Sequence, residues 1–414
     1  MGNVLPGACA LVASAAMSLA ATPAAAQPRA ISWADVVGLV EGHPLLREAG
    51  SRVAAAEAGV EAAGAVPNPS LEVAFGRGAP REGTGSARFE QSYELSVPLD
   101  WLAQRGPRVE AARSGVDEAK AEGRARRREI LVQLGGLYWN AAFDQARVDS
   151  LEGLEAQTAE VAKLVGLRVQ KGEARPIEIP RIETELERVR NELSAARSLL
   201  KTHRGQLQLW IQGLAAADWR IEAGALEALP KVAQADATAV DVGEAHPALE
   251  ASRARLRALE AEATLERRQR IPSFSVKGFA TDELDRQAFG GGLGVTLPVW
   301  NWNSGRIAQV EAAREAAKWR LEAERRSLSA DATEARNACA QGQEAAQRYR
   351  DAILPMAQSA ATMLERSFQI GEATLLDVLD ARRVLGDTRR GYLAALLQAQ
   401  LDCNRLQLLA GEAP

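Results

Sequence analysis

The chain is poor in the residues from which metal centres are built, with three cysteines and three histidines in 414 residues, and no pair of them sits at zinc-ligand spacing. Charge of either sign is not in excess: Lys+Arg number 50 against Asp+Glu 54, a net charge of -4, which leaves no basic surplus to hold nucleic acid. Beyond the N-terminal segment no stretch approaches the ~20 uncharged apolar residues of a membrane helix. A Gly-rich phosphate loop, a nucleophile elbow and paired catalytic carboxylates are also missing, which argues against an enzyme and against any bound cofactor. Aromatic residues make up 5% of the chain. Alanine is what there is most of, about a fifth of all residues, and with 25% charged residues this is the bias of long helices.

From Val4 to Ala26 the chain carries no charge and ends in Ala24-Ala25-Ala26 before Gln27. Small residues behind an apolar run mark a cleaved export segment, so residues 1–26 are expected to be removed and the mature protein to begin at Gln27. No Lys or Arg precedes the apolar run, and an uncleaved anchor is the alternative. Cys9 is a poor lipid-attachment site, because Pro6 stands where an aliphatic residue is needed. The mature chain then holds Cys339 and Cys403 in an oxidising compartment.

The rest is a tandem repeat. His43-Pro44 recurs as His246-Pro247 and Pro69-Ser70 as Pro272-Ser273, both at an offset of 203. Val109-Glu110-Ala111-Ala112-Arg113 recurs as Val310-Glu311-Ala312-Ala313-Arg314, and Gly172-Glu173-Ala174 as Gly371-Glu372-Ala373. Ordered matches at a nearly constant period report a duplicated architecture. The halves span 27–212 and 237–414, joined by 213–236, and each reads helix, strand, strand, very long helix, turn, helix.

The opening helices, 45–65 and 248–270, are stopped by Pro67-Asn68-Pro69 and by Pro272. The period then changes to two: Leu71, Val73 and Phe75 alternate with polar or small residues, as do Phe89, Tyr93, Leu95 and Val97. Phe274 and Val276, then Phe289, Leu293, Val295 and Leu297, repeat the pattern in the second half. Strands are expected over 70–77, 88–97, 273–280 and 289–297, with the length and two-faced pattern of transmembrane β-strands. Trp101, Trp300 and Trp302 follow the strand ends, where interfacial aromatics belong. Four strands cannot close a barrel and open edges cannot stand in lipid, so this reading requires oligomerisation. Its alternative is a soluble pair of hairpins.

Long helices are expected over 105–172 and 304–371, each ~100 Å long at 1.5 Å per residue, returning over 176–212 and 374–410. Leu328, Ala332, Ala335, Cys339, Gly342 and Ala346 form a seam of small residues at coiled-coil spacing, matched by Leu396, Ala399, Cys403 and Leu406. Pro355 should kink the descending helix. Gly371 lies midway between Cys339 and Cys403, so an antiparallel hairpin turning there places the two opposite each other, either as a disulfide or as two buried thiols.

The duplicated plan, Pro67-Asn68-Pro69-Ser70-Leu71-Glu72, Leu297-Pro298-Val299-Trp300-Asn301 with Gly305, and above all the run Gly371 to Asp380, resemble the TolC family of outer membrane factors. The His-Pro-Leu-Leu opening is most similar to the outer membrane components of cobalt-zinc-cadmium and copper-silver exporters. The resemblance covers the whole mature chain. It implies a mainly α protein with a transmembrane β part, in which three protomers build a 12-stranded β-barrel on an α-helical barrel reaching into the periplasm. The implied function is the exit duct of a tripartite efflux system exporting heavy-metal cations, with an RND-type inner membrane transporter and a periplasmic adaptor as partners, outer membrane lipid around the barrel, and no nucleic acid. A multidrug or type I protein-secretion duct would share these features; a periplasmic coiled-coil scaffold would lack the barrel.

Such channels close at the second-repeat tip, where two acidic residues one helical turn apart form a constricting ring; the matching residues are Asp377 and Asp380, with Glu178 the counterpart in the first repeat. Solvated carboxylates near a helix start are the plainer reading, since Asp is favourable there. The family's basic or polar latch position is Ala373 here. The tip turns Gly172-Glu173-Ala174-Arg175 and Gly371-Glu372-Ala373-Thr374 are the expected adaptor-docking sites. His43 and His246 precede prolines, His203 is expected to lie alone on a helix, and Arg124, Arg126, Arg127 and Arg128 to form a solvated helical face.

Overall fold

The computed structural model describes residues 29–79, 85–211, 214, 219–230 and 246–410. The expected export segment and residues 213, 215–218 and 231–236 of the connecting segment lie outside them. The central core gathers pieces distant in sequence. Strand β1 (Arg29–Ile31) pairs in parallel with β4 (Trp219–Ile221), and both are fastened to the middle of the 70-residue helix α3 (Trp101–Gln170). There Tyr138 Oη donates to the Ile31 carbonyl at 3.2 Å, and the Gln145 side-chain amide bonds both the N–H and the carbonyl of Ile221. Helix α1 (Trp33–Leu39) starts with a capping box between Ser32 and Asp35. The described part of the connecting segment is therefore anchored, not slack: Gln400 Nε2, on α8 (Leu375–Ala410), donates to the carbonyls of Ala225, Leu226 and Ala228.

The His-Pro pairs start helices. His43 Nδ1 accepts the Leu45 N–H and His246 Nδ1 the Ala248 N–H, both at 3.2 Å, with proline as first residue of α2 (Pro44–Gly64) and α5 (Pro247–Arg268). Each imidazole satisfies an orphan N–H and each proline occupies a position that needs none. Burial lowers the pKa of His43; burial and then the Arg128 charge push His246 down to about 4. Two expectations need correction. His203 does not stand alone, since its Nδ1 lies 2.6 Å from Asp144 on α3. The arginine cluster is no simple solvated face either: Arg124 binds Glu250 of α5 and Arg127 binds Glu41, while burial lowers the pKa of Arg128.

Strands β2 (Ser70–Gly78), β3 (Arg88–Pro98), β5 (Ser273–Asp282) and β6 (Gln287–Thr296) form one antiparallel sheet in that order, with β3 and β5 joining the two repeats. The register puts Leu71 opposite Leu95, Val73 opposite Tyr93, Val97 opposite Val276 and Val276 opposite Leu293, so one face is apolar across all four strands. This face is bare: Leu293 is 80% exposed and Phe289 92%. The other face carries Glu72 opposite Glu94, and Lys277 paired with Glu94. Phe279 breaks the alternation by lying on this polar face over Gly290, whose missing Cβ would fall 2.7 Å from the ring. The sheet is open, with β2 and β6 as edges.

Helix α3 continues through Pro107 without interruption, whereas the helix expected over 304–371 does not run unbroken. It consists of α6 (Ser304–Arg348), a π turn at Tyr349–Ile353 and α7 (Leu354–Gln369). Pro355 has no N–H and its ring would crowd the carbonyl four residues back; widening the preceding turn, so that the Leu354 N–H bonds the Tyr349 carbonyl, accommodates it. Returning helices α4 (Glu178–Trp210) and α8 complete the hairpins. Helices α6 and α8 approach closely at Gly342, where a Cβ would lie 2.9 Å from Ala399 Cα. Beside this contact Cys339 and Cys403 are joined as a disulfide, fully buried, with Cα atoms 4.7 Å apart.

Denatured protein lacking Cys9 is expected to show no reactive thiol until reduced and two afterwards. Cys403→Ala, which opens a bridge spanning 64 residues, should lower stability by about 2–4 kcal/mol in denaturation of the detergent-solubilised protein. His246 gives a pH dependence. Its folded pKa lies below the ordinary 6.5, so the fold favours the neutral ring; the contribution is complete above pH 6.5 and is lost as pH falls towards about 4. His246→Asn, which keeps a capping acceptor, is expected to flatten the stability profile in that window.

Candidate functional site

Both long hairpins turn through the same backbone device. After α3, the Glu173 N–H bonds the Arg168 carbonyl at 2.8 Å and the Gly172 N–H the Val169 carbonyl at 3.0 Å. After α7, Glu372 bonds Ser367 at 2.9 Å and Gly371 bonds Phe368 at 3.1 Å. These are Schellman caps, which need a left-handed residue just past the helix; Gly172 and Gly371 supply it with φ of 73° and 86°. The repeated Gly-Glu-Ala is thus a backbone requirement met twice.

The two turns belong to one apolar cluster. Val165 of α3, Ile182 of α4, Phe368 of α7, and Leu375 and Val378 of α8 are all buried, with Ala373 packed against them. The side chain of Ala373, at the expected latch position, contributes apolar contact only, while its backbone N–H bonds the Ser367 carbonyl at 3.3 Å. A cross-tip connection comes instead from Arg168, which the sequence reading passed over. Its Nη2 donates to the Gln369 carbonyl at 2.7 Å and its guanidinium lies 4.6 Å from the centre of the Phe368 ring. A basic residue in the last turn of a helix signals interaction with carbonyls, but which helix end it meets depends on tertiary packing.

The two candidate ring residues differ. Both are exposed, but Asp377 is the third residue of α8 and accepts from the Thr374 N–H at 2.9 Å and the Thr374 hydroxyl at 2.6 Å, while the Thr374 oxygen receives the Asp377 N–H. This is a capping box, and the bonds from the Thr374 hydroxyl and N–H hold the Asp377 carboxyl below its ordinary value. Asp380 makes no hydrogen bond or ion pair among the described residues, and lines a groove of about 540 Å³ between α4 and α8 with Arg181 and Arg383. Glu178 is half-buried and lies 3.8 Å from Arg175 in its own turn. Among the described residues no group of three or more His, Cys, Asp or Glu is arranged to hold a metal ion, and no helix is long and apolar enough to cross a membrane.

The repeated helical hairpins, the two-faced sheet and the paired tips define a class. The sequence profile of the family described as outer membrane efflux protein matches residues 38–211 and 238–412, and the chain belongs to that family. It is an outer membrane protein of efflux, and its family is one of transport ducts. The chain is 26% identical over 369 residues to the cobalt-zinc-cadmium resistance protein CzcC of Cupriavidus metallidurans, covering 88% of this chain and 86% of that one. Its fold is similar to the crystal structure of CusC, with a TM-score of 0.76 at 17% identity over 93% of this chain and 94% of that one. The open state of the Neisseria gonorrhoeae MtrE outer membrane channel matches with a TM-score of 0.75 at 17% identity, over 92% and 88%.

The capping box generates a test. Thr374→Ala removes the hydroxyl that donates to the Asp377 carboxylate and accepts the Asp377 N–H, leaving only the backbone N–H bond to the carboxylate, and amide exchange in the first turn of α8 is expected to quicken about fivefold, the effect of losing one N-cap. Since the bonded carboxylate titrates below 3.8, the cap is complete above that value and is lost as pH falls through the lowered one. In Thr374→Ala the loss should begin at higher pH.

Proposed function

We propose that three copies of the chain form a continuous exit duct, a 12-stranded β-barrel standing on an α-helical barrel, through which heavy-metal cations leave a tripartite efflux system. The observation that carries the duct is the sheet. It has a bare apolar face, a polar face bearing Glu72, Glu94 and Lys277, and two unpaired edges. Each unpaired backbone group in lipid costs several kcal/mol, and pairing β2 of one copy with β6 of the next removes every edge. Trp300, 96% exposed just past β6, suits the membrane interface. The metal cargo rests on similarity to a protein named for cobalt, zinc and cadmium resistance.

The tips form the entrance and the docking surface for a periplasmic adaptor, and an inner membrane RND transporter supplies energy. Asp377 and Asp380, repeated by threefold symmetry, form an acidic constriction that attracts cations and is plugged by divalent ions. Of the two, Asp380 is the freer carboxylate.

In planar bilayers the purified protein is expected to conduct as a trimer and to be blocked by divalent cations from the tip side. Asp380→Asn should raise the blocking concentration about tenfold, the loss of roughly 1.4 kcal/mol per site. Equal block of both proteins would remove the ring, and a soluble monomer that never enters the outer membrane would remove the duct. Deleting the gene should lower tolerance to divalent heavy metals; unchanged metal tolerance with lost drug tolerance would replace the cargo.

A further inference from the structure

Where α3, α4 and α8 meet, above the tips, a cavity of about 40 Å³ is lined by six arginines: Arg147, Arg188, Arg382, Arg383, Arg389 and Arg390. It has room for about three waters or one small ion. Three carboxylates share the lining and are already engaged. Arg188 grips Glu185 with Nε and Nη2, at 3.0 and 2.6 Å, and Glu192 with Nη1 at 2.5 Å. Arg390 lies 3.5 Å from Glu192 and 3.4 Å from Asp387. Arg147, Arg383 and Arg389 make no hydrogen bond or ion pair among the described residues.

Arg382 is the most telling of the six. It is only 8% exposed; its Nε donates to Glu365 of α7 at 2.8 Å, and its Nη1 is closed off from solvent with no partner. A buried polar nitrogen without an acceptor is unfavourable, and more so when charged. Surplus positive charge, enclosure and an unanswered donor all call for the same thing, an acceptor carrying negative charge. Guanidinium groups match oxyanions with paired N–H bonds.

We propose that this cavity binds a small inorganic oxyanion of the phosphate or sulfate class. Arg147 and Arg389 form its first contacts, and Arg382, which also lines the cavity, adds to the positive charge around it. Because α3 and α4 belong to one hairpin and α8 to the other, with α7 attached through Glu365, the bound anion fastens the two hairpins together. The inference concerns contacts within one chain and stands independently of the cargo and of the entrance ring.

The test is isothermal titration of the full-length, detergent-solubilised protein with inorganic phosphate and, separately, sulfate. Saturable binding is expected, weakened about tenfold or more in Arg147→Gln and in Arg389→Gln by the loss of one charge-assisted contact. Both variants leave the Arg382–Glu365 pair in place, and should either fail to fold the other carries the measurement. Arg126→Gln, which alters an arginine paired with Glu129 outside the cavity, should bind as the unaltered protein does. Absence of saturable heat, or equal weakening in Arg126→Gln, would overturn the site. So would a structure of the assembled protein with a neighbouring copy's carboxylate in the cavity.

Discussion

The 70-residue helix α3 carries apolar residues from Val116 to Val165 that must be kept from water, and the chain is organised around that constraint. Most helical stability comes from packing, not from propensity, so α3 must be covered along its length. Helices α2 and α5 lie along it on one side of the core, α4 and α8 on the other. The short β1–β4 pair and the Gln145 and Tyr138 bonds fasten both the beginning of the described chain and the connecting segment to its middle. Alanine makes this covering possible, because small side chains let several helices approach one axis. Ala141 on α3 and Ala196 on α4 are fully buried.

The second repeat solves the same length problem differently. Its descending helix is divided by the π turn before Pro355, and the pieces are held to α8 by separate means. Above the turn the hold is tight, through Gly342 against Ala399 and the Cys339–Cys403 bridge. Below it the hold consists of side chains: Arg382 to Glu365, and the apolar tip cluster with Arg168 across it. The stretch nearest the Gly371 turn thus lacks the covalent restraint present between Cys339 and Cys403.

Backbone-dictated features were legible in the sequence. The Pro and Gly punctuation that ends helices and turns tips, the period-two strands and the approximately 200-residue repeat all reflect constraints acting within a few residues. The Thr374-x-x-Asp377 spacing was equally legible as a helix start, yet an acidic pair invites a functional reading first. The structure shows that one of the pair also caps the helix. The His-Pro pairs mark helix starts, because proline suits the first helical position; that the imidazole itself caps the helix is not legible locally, since imidazole is an uncommon cap.

The bond from Arg168 and the pairing of β1 with β4 depend on partners about 200 residues away, and no local pattern encodes them. By itself the sequence determined a duplicated, helix-rich chain with two glycine-turned hairpins and four two-faced strands, because those properties follow from local sterics and from the period of apolar residues. Only the tertiary structure decided that β3 pairs with β5 and that Arg168 joins the two tips. These outcomes are set by which surfaces meet when two halves of similar pattern pack together. Such a choice is made by the sum of many weak contacts, not by any one residue.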